Sequence, residues 1–254
     1  MKLTYKIGLV ILIILFLFCA SIQYTTVSNP NPNTEIVISR YNESLEWLKE
    51  EPFNKYPIIC YNAGPNDNFY KPINMKVVKI ENIGKEAYVY LYHIIQNYEK
   101  LENITIFLPG SSNSSHKINI VKNQVYEVEK HNNTVFLSSK YKDVRDDLYD
   151  FKLDSWCSTS EENSKENTEC KLNLASERPY GKWYDKMFGD IKTQHVNYLG
   201  ILAIKRQHII QNPIEHYIRL INELKYPNDE VAHYFERSWD AIFYPMIDAI
   251  YITE

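Results

Sequence analysis

Only four cysteines and seven glycines occur in this 254-residue chain, and several familiar chemical signatures are missing. The cysteines, at 19, 60, 157 and 170, show no zinc-cluster spacing. No G-x-S-x-G segment is present, which removes the strained elbow that exposes a hydrolase serine. There is no internal repeat. Charge of one sign is also lacking: 28 basic against 32 acidic residues leave a formal net charge of −4. Without a basic face to gather phosphates, no nucleic-acid partner is expected. Apolar runs are short as well, the one conspicuous case being "IGLVILIILFLFCASI" from Ile7 to Ile22. As a helix it would span about 24 Å, somewhat less than the roughly 30 Å of a hydrocarbon core.

That run follows Lys2 and Lys6 and precedes a polar stretch, so residues 1–23 read as a signal-anchor or transmembrane segment. The basic flank predicts a single-pass type II membrane protein whose domain faces the ER or Golgi lumen or the exterior. Cys19, Ala20 and Ser21 keep a cleaved signal peptide and secretion open as the alternative. Residues 24–34, with two prolines and no periodic hydrophobicity, read as a stem. The 44% hydrophobic content allows one sizeable core, so 35–254 is taken as a single domain.

The four sequons at Asn42, Asn103, Asn113 and Asn132 agree with a glycosylating compartment. In the same compartment Cys157 and Cys170, bracketing a polar segment, are expected to pair, closing a loop at a gain of roughly 3 kcal/mol. Cys60 lies in an apolar run and reads as a small buried hydrophobe.

From Glu35 onward strands and helices alternate. Strands are expected at 35–39, 57–61, 75–80 and 104–108, and helices at 45–50 and 85–100. Residues 117–170 read as short strand-like pieces and charged turns. Beyond them "VNYLGILAI" reads as a strand, 213–224 as a helix and 229–243 as a last helix capped by Asn228 or Asp229. The alternation predicts an α/β domain, a mixed, mainly parallel sheet flanked by helices.

Ligands of such sheets gather beyond the carboxyl ends of the strands. Arg40, Tyr41, Asn42 and Glu43 stand at one such end, either contacting a nucleotide or sugar or forming an ordinary helix cap. Asn82, Gly84 and Lys85 make a tight entry into the helix at 85–100, where first-turn N–H groups suit a phosphate. On that helix Glu86, Tyr90, His93 and Asn97 share a stripe that lines either a cleft or a buried polar network. Near the end of the chain, Glu236 is a candidate general base and Arg237 a candidate for a phosphate or carboxylate. The bland reading there is an exposed ladder of His233 with Arg237 and Glu236 with Asp240. After "ITIFLPG" the chain offers only Ser111, Ser112, Asn113, Ser114, Ser115 and His116, poor ligands for a hard divalent metal, so none is assigned.

The stretches "ISRYNESLEWL", "NIGKEAYVYLYHIIQNYEKL" with "ITIFLPG", "LGILAIKRQHIIQNPIEHYIRLINEL" and "HYFERSW" together resemble an uncharacterised domain-of-unknown-function family of fungi, bacteria and large DNA viruses. That family is loosely grouped with glycosyltransferases. Tyr41-Asn42-Glu43 after the first strand is similar to the turn of GT-A glycosyltransferases, which implies a GT-A-like, Rossmann-like fold. The chain departs from the family at Pro109-Gly110-Ser111, where relatives carry a Gln-Gly-Asp-like segment. The resemblance implies a glycosyltransferase using a nucleotide sugar and a glycan or glycoprotein acceptor. In it Glu236, His93 and Glu86 form the reaction centre, and Arg40 to Glu43, Asn82, Gly84, Lys85 and Arg237 hold the donor. The alternative is a non-catalytic glycan-binding or virion-surface protein that kept the fold.

Overall fold

A computed structural model describes residues 33–157 and 170–253. The expected membrane segment at 1–23, nearly all of the stem, and the interior of the Cys-bracketed loop lie outside them. Among the described residues no helix is long and apolar enough to cross a membrane.

The strands are β1 (Thr34–Arg40), β2 (Ile58–Asn62), β3 (Met75–Lys79), β4 (Ile104–Pro109), β5 (Val135–Lys140), β6 (His195–Val196), β7 (Leu202–Lys205) and β8 (Ile250–Thr253). They form one sheet in the order β3-β2-β1-β4-β7-β5-β6, with β8 beside β5. β3, β2, β1 and β4 are mutually parallel, β7 runs antiparallel between β4 and β5, and β8 is parallel to β5. The architecture is therefore the expected mixed α/β sheet flanked by helices.

The helices are α1 (Lys85–Asn97), α2 (Ile118–His131), α3 (Val144–Asp147), α4 (Tyr180–Phe188), α5 (Arg206–Ile210), α6 (Ile214–Ile221), α7 (Glu230–Glu236) and α8 (Trp239–Ile242). Because strand side chains alternate, the near-continuous apolar runs fill two cores. Val37, Phe107, Phe136 and Leu202 face a large aromatic-rich core with residues of α1, α4, α6, α7 and α8. Ile36, Ile38, Ile106, Leu108 and Leu137 face the other core, closed by α2 and two 3-10 turns at Glu46–Lys49 and Phe53–Lys55.

Four local expectations need correction. The region after 117 contains α2, whose buried Val121, Gln124, Val125 and Val128 recur at helical spacing among charged residues. "VNYLGILAI" is interrupted: Gly200 takes a left-handed φ of +65°, and the strand resumes only at Leu202. The last helix is broken into α7 and α8 at Arg237-Ser238, where Ser238 Oγ donates back to the Tyr234 carbonyl at 2.9 Å. The expected helix at 45–50 is a short 3-10 turn. Cys157 and Cys170 form the expected disulfide, with Cα atoms 4.5 Å apart, and Cys60 is a buried free thiol.

Candidate functional site

From β1 the chain steps outward to β2 and β3, then returns through α1 to β4 on the other side of β1. At such a reversal the loops after the two neighbouring strands part company and leave a crevice at the carboxyl edge. Here those loops begin at Tyr41 and Gly110.

The wall of this crevice is built by Arg40. Its side chain is 1% exposed. Nε donates to the Glu43 carbonyl at 2.8 Å, while Nη1 donates to Asn62 Oδ1 at 2.7 Å and to the Asn66 carbonyl at 2.8 Å. The guanidinium also lies 3.8 Å from the centre of the Phe69 ring. Arg40 thus holds the 63–69 loop against the end of β1, inside the protein. Glu43 is buried too, and its Oε2 accepts from the Tyr41 N–H at 2.7 Å. Two glycines allow this packing: a Cβ on Gly64 would lie 1.6 Å from the Tyr41 carbonyl oxygen, and one on Gly110 2.8 Å from Glu43 Oε2. Tyr41 and Asn42 are half-buried at the rim.

α1 begins at the same edge, because it connects the end of β3 to the start of β4. Gly84 and Lys85 both adopt φ of +55°. The Gly84 N–H donates to the Tyr226 carbonyl at 2.9 Å, and the Glu86 carboxylate accepts its own backbone N–H. The anion site expected at this helix start is thereby partly satisfied from within.

Lys85 turns toward α7. Its Nζ lies 3.1 Å from His233 Nε2 and 3.2 Å from the centre of the Trp156 ring. His233 Nδ1 lies 3.5 Å from Glu236 Oε2, which is 3.4 Å from Arg237 Nη1. The tautomer that suits both contacts carries its proton on Nδ1, leaving Nε2 to accept from the amine. Arg237 also donates from Nη1 to the His233 carbonyl at 2.7 Å, and its guanidinium lies over Phe151 at 3.6 Å and Tyr198 at 5.1 Å. Its Nε is buried and has no hydrogen-bond partner among the described residues. Glu86 faces the same cluster beside Gly200.

Burial lowers the Lys85 pKa to about 8, although Glu86, Glu236 and Asp229 oppose the shift. Burial raises the Glu86 pKa, and the Glu236 charge adds to the effect. Two carboxylates thus share a poorly solvated corner with one weakened cation.

Lys85, Glu86, Glu236 and Arg237 are brought together at the carboxyl edge. His93 stands apart. It lies seven residues along α1 from Glu86, about 10 Å away. It is fully buried, with Nδ1 accepting from Tyr61 Oη and Nε2 donating to Glu35 Oε1, each at 3.1 Å. Tyr90 and Asn97 are likewise engaged, with the Gly200 and His93 carbonyls. Three members of the stripe are therefore satisfied inside the protein, His93 and Asn97 with each other and Tyr90 separately, and only Glu86 reaches the cluster. Asp240 does not pair with Glu236: it accepts from Tyr251 Oη and the His195 N–H, both at 3.2 Å. Asp229 occupies the start of α7, but its carboxylate binds the Lys225 and Tyr226 N–H groups at 2.7 and 2.8 Å.

Sequence reasoning missed His233 and Trp156. By pattern His233 belongs to a solvated ladder, and its spacing of three residues before Glu236 is the available signal. Trp156 precedes Cys157, and its N–H donates to the Cys170 carbonyl at 2.9 Å, so the disulfide fixes the ring over Lys85. Among the described residues no group of three or more His, Cys, Asp or Glu side chains is arranged to hold a metal.

The family model described as "Protein of unknown function (DUF3431)" matches residues 36–251. The chain belongs to this family. Its matched span runs from β1 into β8, so it includes the crevice and the Lys85 cluster together. No curated protein matches the chain. A solved structure, CMP:2-keto-3-deoxy-manno-octonic acid synthetase complexed with CTP, is similar over 87% of this chain and 90% of its own. The identity is 13% and the TM-score 0.38, a likeness that bears on neither ligand nor reaction.

Proposed function

We propose that this DUF3431 protein is a glycosyltransferase that moves a sugar from a nucleotide sugar to a hydroxyl of a glycan or glycoprotein. The observation that carries the reading is the meeting of Lys85, Glu86, His233, Glu236 and Arg237 at the carboxyl edge that also holds the β1/β4 crevice. The order β3-β2-β1-β4 is that of a mononucleotide-binding half-sheet, and the antiparallel β7 beside it supports a GT-A-like variant.

In this reading Tyr41 and Asn42 contact the nucleotide at the crevice rim, with Arg40 and Glu43 shaping its wall. Asn82 and Gly84 flank the phosphates. Glu236 accepts the proton of the acceptor hydroxyl as its oxygen bonds to the sugar carbon and the bond to the diphosphate breaks. The Nε of Arg237, without a hydrogen-bond partner among the described residues, supports the charge on the departing diphosphate. Glu86 lines the cleft. The disulfide supports a domain that matures in an oxidising compartment, and a type II anchor at 1–23 accords with that.

Thermal unfolding of the full chain against a panel of nucleotide sugars tests the proposal, followed by a hydrolysis assay on any that stabilises it. Stabilisation with slow release of the nucleotide diphosphate is the expected result. Stabilisation without turnover assigns the fold to glycan or nucleotide binding alone, and no stabilisation by any donor overturns the reading.

A further inference from the structure

Lys85 carries more chemistry than a phosphate contact requires. Its amine is held over the Trp156 ring and placed 3.1 Å from an imidazole nitrogen. That imidazole is 4% exposed and is oriented in turn by Glu236 across 3.5 Å. A nucleophile beside a base, with the base oriented by a third group, is the arrangement that activates serine, cysteine and amine nucleophiles. A lysine activated in this way attacks carbonyl carbons.

We propose that Lys85, His233 and Glu236 form an activated amine that condenses with the carbonyl of a small anionic aldehyde or ketone. The neutral amine adds to the carbonyl carbon, and the carbinolamine loses its oxygen as water to leave a protonated imine on Nζ. The ammonium proton that must first leave passes to His233 Nε2, and Glu236 balances the imidazolium charge. The imidazolium returns the proton to the departing oxygen, so no oxidant or reductant enters. The anionic class of the substrate follows from Arg237: its Nη1 is taken by the His233 carbonyl and Glu236, but the buried Nε has no hydrogen-bond partner among the described residues and suits a carboxylate or phosphate oxygen. The inference goes beyond sugar transfer and stands without it.

The test uses the full chain with glyoxylate and cyanoborohydride, which fixes an imine as a secondary amine, and reads each lysine by peptide mapping. At about pH 7.5 Lys85 is expected to label at least about tenfold faster than the exposed Lys130 and Lys192, because a larger share of it is neutral. His233→Gln should slow Lys85 labelling at least about tenfold, since the base is lost while burial remains, and leave Lys130 unchanged in the same sample. Arg237→Gln should remove the preference for glyoxylate over the uncharged glycolaldehyde. Should the His233 variant fail to fold, the wild-type pH profile gives an independent reading. With Glu86, Glu236, Asp229 and His233 facing it, Lys85 labelling should level off above about pH 8, while Lys130 labelling keeps rising. Equal rates at Lys85 and Lys130, or coincident profiles, overturn the proposal.

Discussion

His93 on α1 and Glu35 on β1 form a buried pair, Nε2 to Oε1 at 3.1 Å, at the far end of the helix from Lys85. Thr105 Oγ1 donates to the same carboxylate oxygen at 3.4 Å, and Tyr61 Oη closes the other side of the ring. Removing one partner of such a pair strands the other in a dry interior, which typically costs 3–5 kcal/mol. His93→Ala is therefore expected to lower the unfolding free energy by about 3 kcal/mol in urea, while Lys85 labelling in the folded fraction keeps its rate. A loss under about 1 kcal/mol would show that the network is dispensable, and slowed labelling would return His93 to the reaction centre.

Gly64 sits where the 63–69 loop crosses the end of β1, and the atom a Cβ would strike is a backbone oxygen that cannot rotate away. Gly64→Ala should destabilise by at least about 3 kcal/mol and lower any stabilisation by nucleotide sugars, since the loop must lift from Tyr41. Gly189→Ala is the matched control. Its φ of +59° and ψ of −127° strain an alanine by about 1–3 kcal/mol, yet a Cβ there meets nothing within 4 Å. Comparable melting temperatures for the two variants would contradict the packing described at the crevice.

Asp240, on α8, is 5% exposed, and burial raises its pKa to about 6 despite the hydrogen bonds it accepts. A carboxyl whose folded pKa lies above its unfolded value binds more protons in the native state between the two values. Its contribution is fully present below about pH 4 and is lost as pH rises through 6. At 1.36 kcal/mol per unit, the wild type should lose about 3 kcal/mol relative to Asp240→Asn over that window. Other raised groups, Glu86 among them, cancel in the comparison. Parallel stability curves from pH 3.5 to about 7.5 would remove Asp240 from this account.

The parallel half of the sheet was legible because strands buried on both faces are nearly unbroken runs of β-branched residues, as in Ile36-Val37-Ile38 and Ile104-Thr105-Ile106. The second half was harder. α2 buries four small or polar side chains among lysines and glutamates, so its apolar stripe is narrow, and Gly200 and Ser238 break elements whose hydrophobic pattern continues through them. The site was legible only in part, for a related reason. Types and spacing single out Glu86 and Glu236, but whether a polar residue faces a cleft or another polar residue depends on contacts distant in sequence. His93 found its partner 58 residues away in Glu35, and Lys85 found His233 at a separation of 148. Arg40 reads as a solvated cap until Asn62, Asn66 and Phe69 are seen to enclose it.

Glu236 separates the transferase from a binding protein most cleanly, since it touches both His233 and Arg237 without being the sole support of either. Glu236→Gln preserves size and hydrogen bonding while removing the basic oxygen. If that oxygen takes the acceptor proton, kcat should fall by about 10² to 10⁴. Donor stabilisation in thermal unfolding should stay close to wild type, because the nucleotide is held at the crevice rim. Arg237→Lys should show the opposite emphasis: a compact ammonium cannot reproduce the planar fork over Phe151, so donor stabilisation should weaken along with kcat. Unchanged turnover in Glu236→Gln would strip the residue of its assigned chemistry and leave the His233 contact as its purpose.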